Sequence, residues 1–219
     1  MNRKMLFIWL LMFSLIYAEE PLKYGVKVGA GLSSAPFSDK DNLLLSGEFK
    51  SRAGVNFGVI LNLPYSGNLS IYSELEYQAR GSKEEILVTV GGDIPDQTIP
   101  ANLVIVQDNL FEYLSLGSGA RWTFGANGFR PFVNTGISLN TLLREDSGFG
   151  DLNFDTKRFV WGLEFGGGIV FAILSPGELF VEIKYDLDIT TALERDPNLP
   201  IEFDMKHRWL SISLGIMLP

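Results

Sequence analysis

The chain has 219 residues, a formal net charge of −8, 46% hydrophobic residues, 23 glycines and 20% charged residues. An acidic chain repels a phosphate backbone, which disfavours nucleic acid as a partner. The sequence contains no cysteine, which excludes disulfides and thiol-dependent catalysis within these residues.

The first eighteen residues have the pattern of a secretory signal peptide. A basic pair at positions 3–4 precedes an apolar run at positions 5–17, and Ala18 stands before two glutamates. The run is shorter than the roughly 20 residues that a membrane-spanning helix needs. We therefore expect cleavage after Ala18 and a single domain over residues 19–219, with an uncleaved membrane anchor as the alternative.

The rest of the chain alternates apolar and polar residues with a period of two. Because successive side chains of a strand point to opposite faces, this pattern predicts strands that are apolar on one face. Their lengths approach the nine to eleven residues of a tilted membrane-spanning strand. The predicted strands are residues 23–33, 52–62, 69–81, 114–124, 132–143, 159–171, 179–187 and 210–218.

The connections between these strands are alternately short and long. Short turns are predicted at residues 62–68, 125–128 and 175–177, and long segments at 34–49, 83–107, 145–157 and 190–206. This alternation between an even number of strands is typical of outer-membrane barrels and puts both termini at the short-turn end. The apolar stretches 86–90 and 103–106 predict a hairpin above the membrane or, alternatively, extensions of the third and fourth strands.

The polar face of the predicted strands is the one expected to line the barrel interior. It is rich in Gly and Ser, which suits the narrow lumen of an eight-stranded barrel. A water-soluble barrel would have the opposite arrangement, with the apolar face inside. An Arg or Lys facing lipid costs roughly 2–4 kcal/mol, and the mid-strand charges avoid the apolar face. The charges on the polar face are Lys27, Glu74, Glu76, Arg80, Arg121, Glu164, Glu182, Lys184 and Asp186.

Aromatic residues on the apolar face lie near the predicted strand ends, as expected of a membrane interface. They are Tyr24, Trp122 and Phe124 near the short turns, and Tyr77, Phe159, Trp161 and Tyr185 near the long segments. Three charged exceptions to the alternation, Asp108, Glu112 and Arg208, are also predicted near the long segments. The sequence therefore predicts an all-β protein, an eight-stranded antiparallel up-and-down transmembrane β-barrel in a bacterial outer membrane.

The charged residues of the polar face predict ion pairs that plug the lumen. The candidate lumen ion-pair network consists of Lys27, Arg52, Glu74, Glu76, Arg80, Arg121, Glu164, Glu182 and Lys184. Its glutamates could instead form a glycosidase-like carboxylate pair, but the basic residues on the same face favour ion pairs. The four long segments hold fifteen acidic and five basic residues, which predicts an acidic outer surface that is solvated or attracts cations or basic partners.

No motif predicts an enzyme, a cofactor or a metal site. His207 is the one histidine available as a general base, and it is predicted to be solvated at the loop end of the last strand. Asp186 and Asp188 share a face near the rim, but calcium needs six or more oxygen ligands. The triple glycine 166–168 lacks the Lys-Ser/Thr and the helix of a phosphate loop and is read as lumen packing.

Four short segments resemble the PorT-like group of outer-membrane β-barrel domain proteins that are common in Bacteroidetes. They are KYGVKVG at 23–29, SELEYQARGSK at 73–83, RPFVNTG at 130–136 and EIKY at 182–185. The family's fourth strand typically carries an acidic-Ile-Pro run after Tyr-Leu, whereas Tyr113-Leu114 is followed here by Ser-Leu-Gly. The resemblance implies a small barrel, surrounded by outer-membrane lipid, whose partners are other envelope or secretion proteins.

Three functions compete at this point. The first is a non-enzymatic structural or interaction barrel with a plugged polar lumen, linked to an outer-membrane secretion assembly. The second is a narrow porin-like transporter of small or apolar solutes, although eight strands usually leave no aqueous channel. The third is a lipid-modifying enzyme, which would have to use His207.

Overall fold

The computed structural model describes residues 21–35, 37–39, 48–88, 103–125, 128–147, 156–172, 177–192 and 203–219. The predicted signal peptide and the central parts of the four predicted long segments lie outside the described residues. Within the described ranges, no helix is long and apolar enough to cross a membrane.

The described residues form ten strands. They are β1 Lys23–Ser34, β2 Phe37–Asp39, β3 Glu48–Ser66, β4 Leu69–Val88, β5 Leu103–Thr123, β6 Phe129–Asp146, β7 Phe159–Phe171, β8 Glu178–Asp188, β9 Phe203–Met205 and β10 Arg208–Leu218. Eight of them form a closed barrel in the order β1-β10-β8-β7-β6-β5-β4-β3. All neighbouring pairs are antiparallel, so the predicted barrel is confirmed.

The first and last barrel strands close the sheet on itself. β1 pairs with β10 from Tyr24, opposite Leu218, to Ser34, opposite Arg208. Closure leaves no unpaired sheet edge, which is the condition for a β-structure to lie in a bilayer. The start of β1 and the end of β10 lie at the same end of the barrel as the connections β3–β4, β5–β6 and β7–β8. We call this end the short-turn end and the opposite end the long-loop end.

The β3–β4 turn is tighter than the predicted turn at 62–68. Leu63 still pairs with Ile71, and only Gly67 and Asn68 lie between the strands. Gly67 has φ = +53°, a left-handed conformation that a two-residue hairpin turn requires and that glycine adopts without strain.

At the long-loop end the strands run further than predicted. β4 and β5 remain paired from Lys83, opposite Asp108, to Val88, opposite Leu103. The apolar stretches around residues 86 and 105 therefore extend these two strands, as the alternative prediction had it.

A β-bulge in β3 and a change of residue type along β5 explain why the predicted starts of these two strands were too late. The pairing of β3 with β4 shifts between Ser51 and Asn56, and that of β5 with β6 shifts between Glu112 and Tyr113. Each extra residue moves the following side chains to the other face. In β3 the alternation of apolar and polar residues therefore ends at the bulge although the strand continues. In the second pair the extra residue, Leu143, lies on β6, and the alternation of β5 ends because its buried residues Phe111 and Tyr113 are apolar.

A short second sheet joins two of the long segments. β2 pairs with β9, with Phe37 opposite Met205 and Asp39 opposite Phe203. The backbone N–H of Ala192 donates to the Met205 carbonyl at 2.8 Å, which holds the chain after β8 against β9. Three-residue strands are too short to show a period, so this sheet was not predicted.

The two faces of the barrel wall differ as predicted. Outward side chains at mid-strand are strongly exposed, with 61% for Val28 and 56% for Ile212. The predicted aromatic residues Tyr24, Trp122, Phe124, Phe159, Trp161 and Tyr185 are likewise outward and exposed. Inward glycines leave room for large neighbours: a Cβ on Gly168 would lie 2.7 Å from the Phe132 ring.

Candidate functional site

Lys27 crosses the lumen from β1 to carboxylates on β4 and β8. Its Nζ lies 2.6 Å from Glu74 Oε2, 2.6 Å from Glu76 Oε2 and 3.3 Å from Glu182 Oε2. All four side chains are at most 1% exposed. The residues opposite Lys27 on the two neighbouring strands are Gly58 and Gly215. Because neither has a side chain, the lysine can pass over both neighbouring strands and reach β4 and β8, which are the second strands on either side of β1.

Lys184 on β8 shares two of these carboxylates. Its Nζ pairs with Glu74 Oε1 and lies 3.0 Å from Glu76 Oε2. Two further carboxylates, Glu164 and Asp186, lie at 3.8 Å, beyond hydrogen-bonding distance. Two lysines and two glutamates therefore form a closed ionic ring at the centre of the lumen.

Arg121 on β5 extends the ionic ring on the short-turn side through Glu182. Its Nη2 donates to Glu182 Oε1 at 3.1 Å, and Asn134 Nδ2 donates to the same oxygen at 2.7 Å. The guanidinium carbon lies 4.2 Å from the centre of the Phe132 ring and 5.6 Å from that of Tyr72. This arrangement combines a charge-assisted hydrogen bond with cation–π contacts, which suits arginine rather than lysine.

Arg80 on β4 organises a second group nearer the long-loop end. Its Nη1 lies 3.2 Å from Asp188 Oδ1, its Nη2 lies 3.7 Å from Asp186 Oδ2, and it also donates to the Gln78 side-chain oxygen. Asn140 Nδ2 donates to Asp188 Oδ1 at 3.1 Å. We call the ten charged residues together the lumen network: Lys27, Glu74, Glu76, Arg80, Arg121, Glu164, Glu182, Lys184, Asp186 and Asp188.

His207 is fully buried, so the prediction of a solvated rim histidine was wrong. Its Nδ1 lies 3.1 Å from Asp188 Oδ2, and its backbone N–H donates to the same oxygen at 3.1 Å. The rings of Phe111 and Tyr113 pack edge-on against the imidazole, with centroids 4.9 and 5.5 Å away. The residue precedes β10, where no strand period applies, and the sequence therefore gave no sign of its burial.

Apolar side chains cover the lumen network at both ends. The cluster at the short-turn end consists of Ile60, Phe132, Val170, Phe180 and Met217. The cluster at the long-loop end consists of Ala35, Phe111, Tyr113, Val160, Ala192 and Met205. The interior is thus stacked as apolar, ionic and apolar layers, which excludes water from the charged groups.

Arg52 is the one predicted network residue that the structure places elsewhere. Its Nε donates to Asp108 Oδ1 at 2.7 Å, and the two side chains are 20% and 51% exposed. Arg52 lies within the bulged part of β3, close to the long-loop end, and is therefore too far along the strand to reach the central ring. The structure brings the other eight predicted residues together.

Asp186 and Asp188 belong to the lumen network but were not in the predicted ion-pair network, and neither was Gln78, which accepts a hydrogen bond from Arg80. Asp186 and Asp188 have the same parity along β8 as Glu182 and Lys184. Gln78 similarly follows Glu74 and Glu76 on β4. Asp186 and Gln78 lie within the predicted strands on the polar face, and only Asp188 lies beyond the predicted end of its strand at residue 187.

The carboxylates at the centre of the lumen network are held by cations. Glu74 and Glu76 are both held by lysines, which leaves no carboxylate pair open to a glycoside. Among the described residues no group of three or more His, Asp or Glu side chains could hold a metal ion. Gly166 and Gly168 face the lumen beside Asn134 and Phe132, in agreement with a packing role for the triple glycine.

Closure, strand order and the outward apolar belt define a small transmembrane β-barrel of the outer-membrane type. A family model described as the outer membrane protein beta-barrel domain matches residues 17–193. The chain belongs to that family, and the protein is located in the bacterial outer membrane. The short-turn end therefore faces the periplasm and the long-loop end the cell exterior.

The chain is similar to several solved structures. OprG from Pseudomonas aeruginosa has a TM-score of 0.52 at 12% identity, with 90% of this chain and 94% of that chain covered. Neisserial surface protein A has a TM-score of 0.47 at 16% identity, with 91% and 99% covered. Ail, the attachment invasion locus protein of Yersinia pestis, in complex with sucrose octasulfate, has 0.42 at 15% identity, with 91% and 100% covered. A comparison with curated proteins found no match.

Proposed function

We propose that this protein is a non-enzymatic outer-membrane barrel whose lumen is permanently plugged and which acts through its contacts with other envelope proteins. The lumen network carries the proposal. Its lysine and arginine side chains are at most 2% exposed, and each spans the lumen to a carboxylate on another strand. Eight-stranded barrels have interiors just wide enough for side chains to fill, and here ionic and apolar layers fill it.

Single-channel conductance of the refolded, heat-modifiable protein in a planar bilayer tests the plug. We expect no open-channel steps from the natural protein. Lys184→Ala removes a side chain that contacts Glu74 and Glu76 and leaves their charges less compensated, so we expect intermittent conductance. The matched control is Arg158→Ala, an exposed residue beside β7. Reproducible steps from the natural protein would establish a pore and overturn the proposal.

The same preparation tests whether the network stabilises the fold. Arg121→Leu deletes the partner of Glu182 and leaves a buried carboxylate with one cation fewer. Removing one member of a buried ion pair typically costs about 3–5 kcal/mol, so the free energy of unfolding in urea should fall by that order. An unchanged unfolding curve would show that the ion pairs are dispensable and that the apolar layers alone form the plug.

A role in a secretion assembly extends the proposal. It is supported by the resemblance of four segments to the PorT-like group and by the acidic long segments, which suit basic partners. The test is loss of the gene in the source bacterium, followed by quantification of exported proteins. Restoration by the natural chain and equally by Arg158→Ala would link the phenotype to the barrel; unchanged export would contradict the secretion role.

A narrow transporter is the competing function. A cavity of about 310 Å³ opens at the short-turn end and supports it in part. None of the residues of the lumen network line that cavity, however, so it does not continue through the ionic layer. The conductance experiment separates the two proposals.

A further inference from the structure

The cavity at the periplasmic end of the barrel has a charge opposite to that of the rest of the protein. Its lining residues are Lys23, Asn62, Pro64, Gly67, Asn68, Leu69, Ser70, Thr123, Gly125 and Arg130. Two of them are basic and none is acidic. The sequence stretches that carry the three short turns, 62–70, 121–130 and 169–177, also contain no Asp or Glu. The whole chain has a net charge of −8, so the positive charge of this cavity contrasts with the acidic rest of the protein.

Lys23 and Arg130 are brought together by one carboxylate. Lys23 Nζ lies 3.1 Å and Arg130 Nη2 2.5 Å from the same oxygen of Glu178, which bridges β1 and β6 from β8. Two positive charges against one negative charge leave the group at +1. The three side chains are 18–22% exposed, so the charges are partly shielded from water yet remain reachable from the cavity.

Both cations keep hydrogen-bond donors in reserve. The ammonium group of Lys23 has three N–H groups and the guanidinium of Arg130 has five, and the structure assigns one of each to Glu178. Polar groups complete the cavity wall: the Ser70 hydroxyl, which donates to Asn62 Oδ1 at 2.9 Å, and the Thr123 hydroxyl. Charge-assisted hydrogen bonds from such a set favour an oxyanion.

The cavity walls are held in place by the turns around them. The backbone N–H of Thr123 donates to the Asn68 carbonyl at 2.9 Å and ties the end of β5 to the β3–β4 turn. Gly67 and Gly125 both have positive φ, 53° and 83°, which lets the chain bend at the rim without a side chain over the opening. The cavity is thus a preformed recess, near the lower end of the size range of ligand sites.

We propose that this recess is a binding pocket for a carboxylate presented by an acidic peptide segment of a periplasmic partner. A volume of about 310 Å³ admits one or two acidic side chains rather than a folded surface. Lys23 and Arg130 bind the carboxylate, and Glu178 holds the two cations in position. The pocket lies outside the lumen network, so it goes beyond the plugged-barrel function and stands or falls separately from the conductance result.

The test is a titration of the refolded barrel in lipid nanodiscs with a tetraglutamate peptide, followed by calorimetry. Tetraglutamine is the matched peptide control, and inorganic phosphate tests for a free-anion site. We expect saturable binding of tetraglutamate that weakens with added salt, since the pocket is only partly shielded. Lys23→Gln and Arg130→Gln should each weaken it about tenfold or more, the effect of one lost charge-assisted hydrogen bond.

Glu178→Gln should change the affinity for tetraglutamate in the opposite direction. It removes the only negative charge of the group, so affinity for tetraglutamate should rise several-fold while Arg158→Gln, at the opposite end, leaves it unchanged. This variant keeps the test valid if Lys23→Gln or Arg130→Gln fails to fold. The proposal is overturned by absence of saturable tetraglutamate binding, by equal binding of tetraglutamine, by an affinity that Glu178→Gln does not raise, or by binding of phosphate without the peptide.

Discussion

Glu164 on β7 and Asp186 on β8 lie directly opposite each other, both inside the lumen and both about 1% exposed. Each keeps one carboxylate oxygen, Glu164 Oε1 and Asp186 Oδ1, without a hydrogen-bond partner. The lumen network contains six carboxylates and four lysine or arginine side chains. This pair is where the surplus of negative charge is concentrated, since every other carboxylate of the network has a cation within 3.3 Å.

The surplus predicts opposite effects for two glutamate substitutions. Glu182 accepts hydrogen bonds from Lys27, Arg121 and Asn134, so Glu182→Gln should lower the free energy of unfolding by about 3–5 kcal/mol. Glu164→Gln removes a charge with no close cation, and its amide oxygen can still accept the Tyr72 hydroxyl. We expect it to change stability by less than about 1 kcal/mol in urea unfolding. Equal losses of unfolding free energy for both variants would contradict the conclusion that the surplus negative charge lies at Glu164 and Asp186.

Gly215 is predicted to tolerate no larger residue without a loss of stability, because the Phe180 ring packs against it. A Cβ at Gly215 would overlap the Phe180 ring and lie 2.7 Å from the Val26 carbonyl oxygen. Gly215→Ala should therefore cost about 1–3 kcal/mol of unfolding free energy. Adding Phe180→Leu should recover part of that loss, a coupling that a double-mutant cycle measures. Gly167→Ala, which points outward from β7, is the control and should be tolerated; similar losses at both glycines would argue against the inward packing.

Asp188 is predicted to anchor the chain between β8 and β10. It accepts the backbone N–H and the imidazole of His207 on one oxygen and Arg80 on the other. Asp188→Ala should free this corner, and amide hydrogen exchange at Ala192 and Met205 should accelerate at least tenfold. Asp146→Ala, which breaks an exposed pair with Arg144, is the control and should leave these amides unchanged. Unchanged exchange in Asp188→Ala would show that β2 and β9 hold the corner alone.

The lipid face predicts a depth-dependent penalty. Val28 is 61% exposed at the middle of β1 and belongs to the apolar belt. Val28→Arg should therefore lower the free energy of unfolding by about 2–4 kcal/mol. Leu143→Arg lies at the long-loop end of β6, near the headgroups, and should cost about 0–1 kcal/mol. Folding yields into vesicles, read as the heat-modifiable band, measure both. A smaller loss at Val28 than at Leu143 would mean that the belt is placed wrongly along the barrel axis.

The barrel could be predicted from sequence because one period governs almost every strand. Lys27 and Glu182 were assigned to the lumen from parity alone, and both lie there. Parity does not say how far along a strand a residue lies, which explains the misplaced Arg52, and it ends in β5 where the buried Phe111 and Tyr113 are apolar. It also says nothing about residues outside strands, and the burial of His207 depends on contacts between segments far apart in the chain.

Which carboxylate pairs with which cation could not be predicted either. Parity places Lys27 and Glu74 on the same face, but 47 residues separate them, and they meet because only β3 lies between their strands in the closed sheet. The absence of a side chain at Gly58 of β3 leaves room for the lysine, and the strand tilt decides which level of the lumen it reaches. Both are properties of the closed barrel rather than of any single segment.

The pairing of β1 with β10 has a consequence for the order of assembly. Lys27 on β1 reaches Glu74 and Glu76 on β4 across β3, but it reaches Glu182 on β8 only across β10, so this last contact cannot form before β1 and β10 pair. Before β10 pairs with β1, the sheet has two edges with unpaired N–H and C=O groups, and its lumen face is open to water. Pairing of Leu218 with Tyr24 then removes both edges and brings Glu182 within reach of Lys27. Closing the barrel wall and completing the ionic contacts of Lys27 therefore belong to the same step of assembly.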